Sequence, residues 1–403
     1  MNASLPAPAE ESYFGKYRIV QQLASGGMAH IFLASIDGPD GFSKPCVVKR
    51  VLPEYVNQEA FSRMFADEAK VAALLTHPNI VQVFDFGKID GQYYLAMEWI
   101  QGQSLDRLLR YAAKVAYPMG PKVAVEVGLA LADALSYAHA KTLPDGTPLK
   151  LVHRDVTPGN VLVSREGIVK LADFGIVKSS VNLERTLVGV VKGKYPYMSP
   201  EQIHNRELDH RSDLFSLGIV LYEAATGRRL FKRDTIEATI MATSQAVVPP
   251  PSEVVPGFPP ELERILLRLL AREPDERYPD ARAVREDLEQ FRASQGWPPG
   301  GRELAAAVTT LFPPDKTGQT ATALSAFGSS ASGSGSSSSR TPSGVTGSKP
   351  SPAIAEERTG ATARVPSAPA MAAAVEAEGF PLGIAVAAGI AAIGSALFWL
   401  FVA

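Results

Sequence analysis

One cysteine, Cys46, is all that this 403-residue chain contains. A lone thiol excludes both an intramolecular disulfide and a Cys-rich zinc site, and such usage fits a reducing compartment. Excess charge is missing too. The 40 Lys and Arg stand against 42 Asp and Glu, a formal net charge of −2, so the overall balance points neither to nucleic acid nor to an anionic surface. The start, MNASLPAPAEESYFGKY, lacks the basic residues and apolar run of a secretory leader. What is present is the composition of a globular protein, with 46% hydrophobic residues for a core and length enough for two domains.

Two further absences divide the C-terminal part. From Thr317 to Glu378 large apolar side chains are scarce, and the chain is Ser, Gly, Ala, Thr and Pro, as in GSSASGSGSSSSRTPSG. Such a segment buries too little to offset the entropy of ordering it. Residues 317–379 are therefore expected to be a flexible linker, with an r.m.s. span of roughly 40–50 Å. From Phe380 to Ala403, in FPLGIAVAAGIAAIGSALFWLFVA, charge is absent. More than about 18 uncharged apolar residues suffice to cross a bilayer as a helix, and the linker separates this run from any core. Residues 380–403 are expected to be a single-pass transmembrane tail anchor. Small residues four apart, Gly383 with Ala387 and Ala385 with Gly389, would let two such helices approach closely in lipid, so a homodimer joins the membrane among the expected partners.

The folded part follows a tail, residues 1–16. YRIVQQLA and HIFLASI read as strands around SGGM, with PCVVKRVL after them. EAFSRMFADEAKVAALL puts Phe61, Met64, Phe65, Ala72 and Leu75 on one helical face. IVQVFDFGKIDGQYYLAMEWI reads as a hairpin closed by Asp-Gly. After Gly102 the periodicity turns helical, in KVAVEVGLALADALSYAHA and in DLFSLGIVLYEAATG, where Gly227 stops the helix. A β-rich part, 17–101, thus precedes a larger helical part, 102–292. A cleft between them is the default ligand site. Residues 293–316, with RELAAAVTTLFPP, form a C-terminal extension.

Several short motifs carry chemistry. LASGGMAHI, Leu23 to Ile31, lies between two strands; glycines there let backbone amides approach phosphate oxygens, although a plain hairpin turn reads the same way. Lys49 lies on the next strand, and Asp67 or Glu68 on the following helix could pair with it. HRDVTPGN carries Asp155 and Asn160, and DFG follows at 173–175. Acceptor oxygens from two separate loops suit Mg²⁺, which keeps several waters and few protein ligands.

In this order, and with YMSPE after them, the motifs resemble a eukaryotic-like bacterial serine/threonine protein kinase over residues 17 to about 292. The resemblance implies an α+β, two-lobed kinase fold using ATP and Mg²⁺ (or Mn²⁺), facing the cytoplasm and acting on Ser and Thr hydroxyls of proteins. By it, Leu23, Ala24, Ser25, Gly26, Gly27, Met28, Ala29, His30 and Ile31 cover the phosphates, with Ala24 and Ala29 standing at the first and third glycine positions. Lys49 pairs with the α- and β-phosphates, and alignment to the downstream HPNIV selects Glu68 as its partner. Met97 backs the adenine pocket, where the Glu98 carbonyl and Ile100 amide hydrogen-bond the base. Asp155 accepts the substrate proton, and Asn160 and Asp173 hold the metal. Glu201 pairs with Arg277, and Asp213 anchors the catalytic loop. Arg154 receives a phosphate on the segment from Asp173 to Glu201, whose only threonine is Thr186.

One departure matters. Thr157 stands where that family has a catalytic-loop lysine touching the γ-phosphate. VKGKYPYMSPE puts Lys194 where it has a threonine bonded to the catalytic aspartate. If the two residue types are exchanged, Lys194 supplies the missing charge near the γ-phosphoryl oxygens and the Thr157 hydroxyl helps hold Asp155. Otherwise Lys194 is a solvated or substrate-selecting charge. Two rival readings stay open: a membrane-tethered pseudokinase scaffold, and a small-molecule phosphotransferase of related fold.

Overall fold

The computed structural model describes residues 12–313 apart from 26–27, 57, 144 and 175–193, and omits the side chains of 56, 59–61 and 64. The expected linker and membrane segment therefore lie outside the described residues, as do Phe61 and Met64 of the expected helical face. The first half is a six-stranded antiparallel sheet. It is built from β1 (Ser12–Phe14), β2 (Tyr17–Ser25), β3 (Ala29–Asp37), β4 (Ser43–Val51), β5 (Val83–Ile89) and β6 (Gln92–Glu98), in the order β1-β2-β3-β4-β6-β5. β1 lies inside the stretch expected as a tail and pairs with β2, Tyr13 opposite Arg18. The β5–β6 hairpin closes on Asp90 and Gly91, both with positive φ (49° and 82°). That is the mirror-image turn an Asp-Gly pair favours, because its twist matches the strands.

Alternation along β4 decides where the chemistry faces. Cys46 and Val48 point to one side and pack with Tyr17, Ala34 and Ala96. Val51 points to the other, with Val83, Leu95 and two side chains of helix α1 (Glu59–Leu74), Phe65 and Ala69. Successive Cβ atoms point to opposite faces, so Lys49 shares the α1 side. Burial pushes the Cys46 thiol up to about 11, which makes it an inert core residue rather than a nucleophile.

The second half begins with a small sheet, β7 (Gly102–Ser104), β8 (Val161–Ser164) and β9 (Val169–Leu171). The helices of this half are α2 (Leu105–Lys114), α3 (Gly120–His139), α4 (Arg211–Thr226), α5 (Ile236–Gln245), α6 (Pro260–Leu269) and α7 (Ala281–Ser294), of which α2 and α3 pack on the small sheet. α4 is buried from Ser212 to Ala225. A helix buried on every side has to be central, and α3, α6 and α7 supply the shell through Leu131, Leu135, Ile265 and Leu288. Gly227 ends α4 in the left-handed region, φ 68°, and its N–H donates to the Glu223 carbonyl. That is the C-terminal stop the sequence predicts.

Past residue 292 the chain forms α8 (Arg302–Leu311), which buries Leu304, Ala307, Val308 and Leu311. It lies against α2, α3 and β8. Its start touches the β8–β9 turn backbone to backbone: a Cβ on Gly167 (φ 84°) would come within 1.9 Å of the Gly301 carbonyl. The end is clamped as well. The Arg165 guanidinium donates to the Phe312 carbonyl at 3.2 Å, and the Phe312 ring lies 5.1 Å from that of Tyr111.

Candidate active site

β4, α1, the loop before β8 and the turn after β9 converge on one cleft. Lys49 Nζ sits 2.9 Å from Asp173 Oδ1 and 3.9 Å from Glu68 Oε1. Asp67, the other acid considered, is turned to solvent and pairs with Lys70 instead. Asp173 takes the nearer place at the amine, and this sets the charges. Burial works to raise its carboxyl, yet Lys49 alongside holds it below the usual range. Glu68 is left farther out, where burial outweighs the attraction of Lys49 and pushes it up to about 7. Lys49 itself is held above its ordinary value, its two acids overcoming the cost of burial.

The catalytic loop hangs from α4. The buried Asp213 carboxylate accepts the backbone N–H groups of His153 at 2.7 Å and Arg154 at 2.8 Å, with His139 Nε2 also at 2.8 Å. Arg154 takes a positive φ of 65° there, and Asp173 one of 54°. Strained backbone of this kind persists only where its surroundings hold it; at Arg154 the Asp213 carboxylate does so. The His153 ring in turn lies 4.4 Å from Phe174 and within 3.2 Å of the Ala172 carbonyl. Two loops distant in sequence are thereby locked to each other. Glu201 and Arg277 form the expected pair, doubly bonded at 2.7 and 2.9 Å and buried.

Asp155, buried to 6% exposure, receives two side chains on the same oxygen. Asn160 Nδ2 lies 2.9 Å from Oδ2, and Lys194 Nζ lies 2.6 Å from it. Lys194 thus reaches back to the catalytic loop. Thr157 borders a groove beside the pair, lined also by Pro158, Gly159 and Lys194; its carbonyl accepts from Asn160 N at 3.0 Å. With the Asn160 nitrogen committed to Asp155, its amide oxygen is the atom left for a cation. The Asn160 carbonyl accepts from Ala172 N at 2.8 Å, which ties it to the residue before Asp173. The Asn160 side-chain oxygen and the Asp173 carboxylate form a donor set that fits Mg²⁺ with waters completing its shell.

The other expected positions fall around this cleft. Ile31 pairs across the sheet with Lys49, Ala24 with Ile31 and Ser25 with His30, so the facing ends of β2 and β3 share the register of Lys49. Leu23 is half-exposed, Ala29 is buried, and Met28 packs beside Phe65. Gly26, Gly27, Gly175 and Thr186 lie outside the described residues. Met97 lines the floor between Glu68 and Phe174. Glu98 ends β6, and its carboxylate holds Lys170 at 2.7 Å; Ile100 lies in the short crossing to β7. Arg154 offers its carbonyl to Gln202 at 3.1 Å. The sequence reading missed His139, whose only signal was a lone histidine ending an apolar helix. It also missed Arg229, which joins Glu223 and Asp106.

The protein kinase domain family matches residues 17–288. The chain belongs to the protein kinase family. It is 43% identical to the tyrosine-protein kinase MasK of Myxococcus xanthus over 299 residues, 74% of this chain and 46% of that one. It is 32% identical to the serine/threonine-protein kinase PrkC of Bacillus subtilis over 274 residues, 68% and 40% of the two chains. Among solved structures, the kinase domain of Mycobacterium tuberculosis PknI is similar at 27% identity and a TM-score of 0.52, covering 71% of this chain and 99% of that one. The two-lobed kinase fold, β-rich lobe first and helical lobe second, is therefore that of the bacterial kinases resembling eukaryotic serine/threonine kinases. The chain spans less than half the length of the curated relatives it matches.

Proposed function

We propose that the chain is an active protein kinase, transferring the γ-phosphoryl group of ATP to serine and threonine hydroxyls of proteins. The observation that carries this reading is the convergence of Lys49, Glu68 and Asp173 with Asp155, Asn160 and Lys194 in one cleft. A scaffold needs only a surface and has no use for a positioned base beside a positioned cation. Lys49 orients the phosphates of ATP, and Glu68 holds Lys49 from behind. Asp155 aligns the substrate hydroxyl and takes its proton as oxygen bonds to phosphorus and the bond to ADP breaks. Asp173 and the Asn160 side-chain oxygen would hold Mg²⁺, which would supply neutralisation of phosphate charge. Lys194 supplies the loop's cation. The Lys194 amine 2.6 Å from Asp155 supports this role, since preorganised charge beside the reacting hydroxyl would stabilise the transition state.

Activation follows from autophosphorylation of the segment that contains Thr186, the added phosphate pairing with Arg154. Residues 317–379 tether the kinase to a membrane helix, 380–403. Among the described residues no helix is long and apolar enough to cross a membrane. A second reading of the acceptor, tyrosine, is favoured by the 43% identity to a relative named as a tyrosine kinase.

The test is the full chain with radiolabelled ATP, with and without Mg²⁺, followed by phosphoamino-acid analysis. Phosphoserine and phosphothreonine are expected, while phosphotyrosine alone would move the acceptor to the second reading. Asp173→Ala should abolish transfer, and Asp155→Asn should lower it by about a hundredfold or more. Undiminished transfer in either variant would sink the kinase reading.

A further inference from the structure

Beside the catalytic loop runs a groove of about 530 Å³. Thr157, Pro158 and Gly159 form its inner end, next to Lys194 and so next to Asp155. A protein segment presenting a hydroxyl to Asp155 has to lay its neighbouring residues here. Charge along the groove then selects which neighbours are accepted.

Asp106 lines this groove and Glu223 lies buried behind it, and the chain has already paired both. Arg229, in the loop after α4, donates from Nη2 to Asp106 Oδ1 at 2.8 Å and from Nη1 to Glu223 Oε2 at 3.1 Å. The same guanidinium contacts the Tyr197 hydroxyl, and that hydroxyl donates to Glu223 Oε2 at 2.8 Å. Arg110 occupies the second oxygen of Asp106 at 2.8 Å. A substrate arginine entering the groove would find its acids paired and a cation in its place. Farther along, the wall carries two exposed cations, Lys232 and Arg233, against one carboxylate, Asp234. Arg233 spends Nη1 on the carbonyls of Leu230 and Lys232, both at 3.0 Å. A guanidinium has five N–H donors, so others remain.

We infer that this groove selects substrates with acidic residues flanking the phosphoacceptor and rejects basic ones, Arg229 acting as a built-in occupant of the acid subsite. The inference rests on the phosphotransfer reading and adds the substrate class. Arg229 is a positioning and specificity residue; it does not touch the reacting atoms.

The test is phosphorylation by the full chain of a degenerate peptide pool centred on serine and threonine, scored position by position. Acidic flanks should exceed basic ones by about tenfold in kcat/KM, since partly exposed charge pairs contribute a few-fold each. Combining Lys232→Glu with Arg233→Glu should cut that ratio by about tenfold; both side chains are exposed, so the fold should survive. Arg229→Gln should go further and raise basic peptides relative to acidic ones, because the Oδ1 atom of Asp106 is then open to a substrate arginine. A pool phosphorylated without acidic preference, or a ratio unmoved by the double charge reversal, would overturn the inference and leave the kinase reading standing. No incorporation into any peptide would instead take down the kinase reading, and the inference with it.

Discussion

Lys194 and Glu68 show how far a single side chain can be read. The Lys194 amine meets Asp155 at 2.6 Å, and its proposed role as the loop's cation makes a sharp prediction. Lys194→Ala should lower kcat by roughly a hundredfold with little change in ATP affinity, the signature of an interaction made in the transition state. Combining Thr157→Lys with Lys194→Thr should recover most of the loss, because contacting sites couple. Near-normal turnover in Lys194→Ala would assign the charge to another residue. Glu68 yields a pH prediction. Its carboxyl is raised from its ordinary 4.5 to about 7, so between those values the folded chain holds a proton that the unfolded chain has lost. Stability therefore falls as pH rises through that window. Glu68→Gln removes the charge while keeping the shape. It should raise the melting temperature of the ATP-free chain, by an amount that grows from about pH 4.5 to 7 and then levels off. The same variant should lose the rise in kcat/KM for ATP that ionisation of Glu68 gives the parent chain near pH 7. Equal melting of the two proteins at pH 8 would place the raised carboxyl elsewhere.

Elements differed in how openly the sequence announced them. α4 was plain, because apolar residues run its length and Gly227 caps it. The β5–β6 hairpin was equally plain from Asp-Gly alone. Lys194 drew notice only because a residue type was missing at Thr157 and surplus thirty-seven positions later. α8 was not legible as a docked helix, since RELAAAVTTL is short and rich in small residues, and its partners are remote. Tyr111 and Arg165 determine where it lies, and no local pattern encodes them. Arg229 was hidden for the same reason: its partner Asp106 is 123 residues away. The docking of α8 has a measurable weight. Leu304 is wholly buried, and Leu304→Ala should cost about 2–5 kcal/mol in denaturant unfolding. Deleting residues 300–403 should lower the melting temperature well below that of a chain lacking only 317–403. Equal stability of the two truncations would show α8 to be an ornament on a domain complete without it.

For the molecule as a whole, the proposed tether predicts a change of compartment and of kinetics. Without residues 380–403 the chain should move to the soluble fraction. Its activation should also slow at low expression, because a common surface raises the effective concentration of one copy for another. A truncated chain that still pellets with membranes would refute the anchor. The clamp on Phe312 gives this arrangement a mechanical side. Whatever pulls on the chain beyond residue 313 meets first the contacts of Phe312 with Tyr111, Arg107 and Arg165, then the buried face of α8. All of these belong to the helical lobe. The load path enters at α2 and spreads into α3 and β8 without crossing the link between the lobes. Tension along the proposed tether would thus be borne by the helical lobe, leaving the β-rich lobe outside the path of the load.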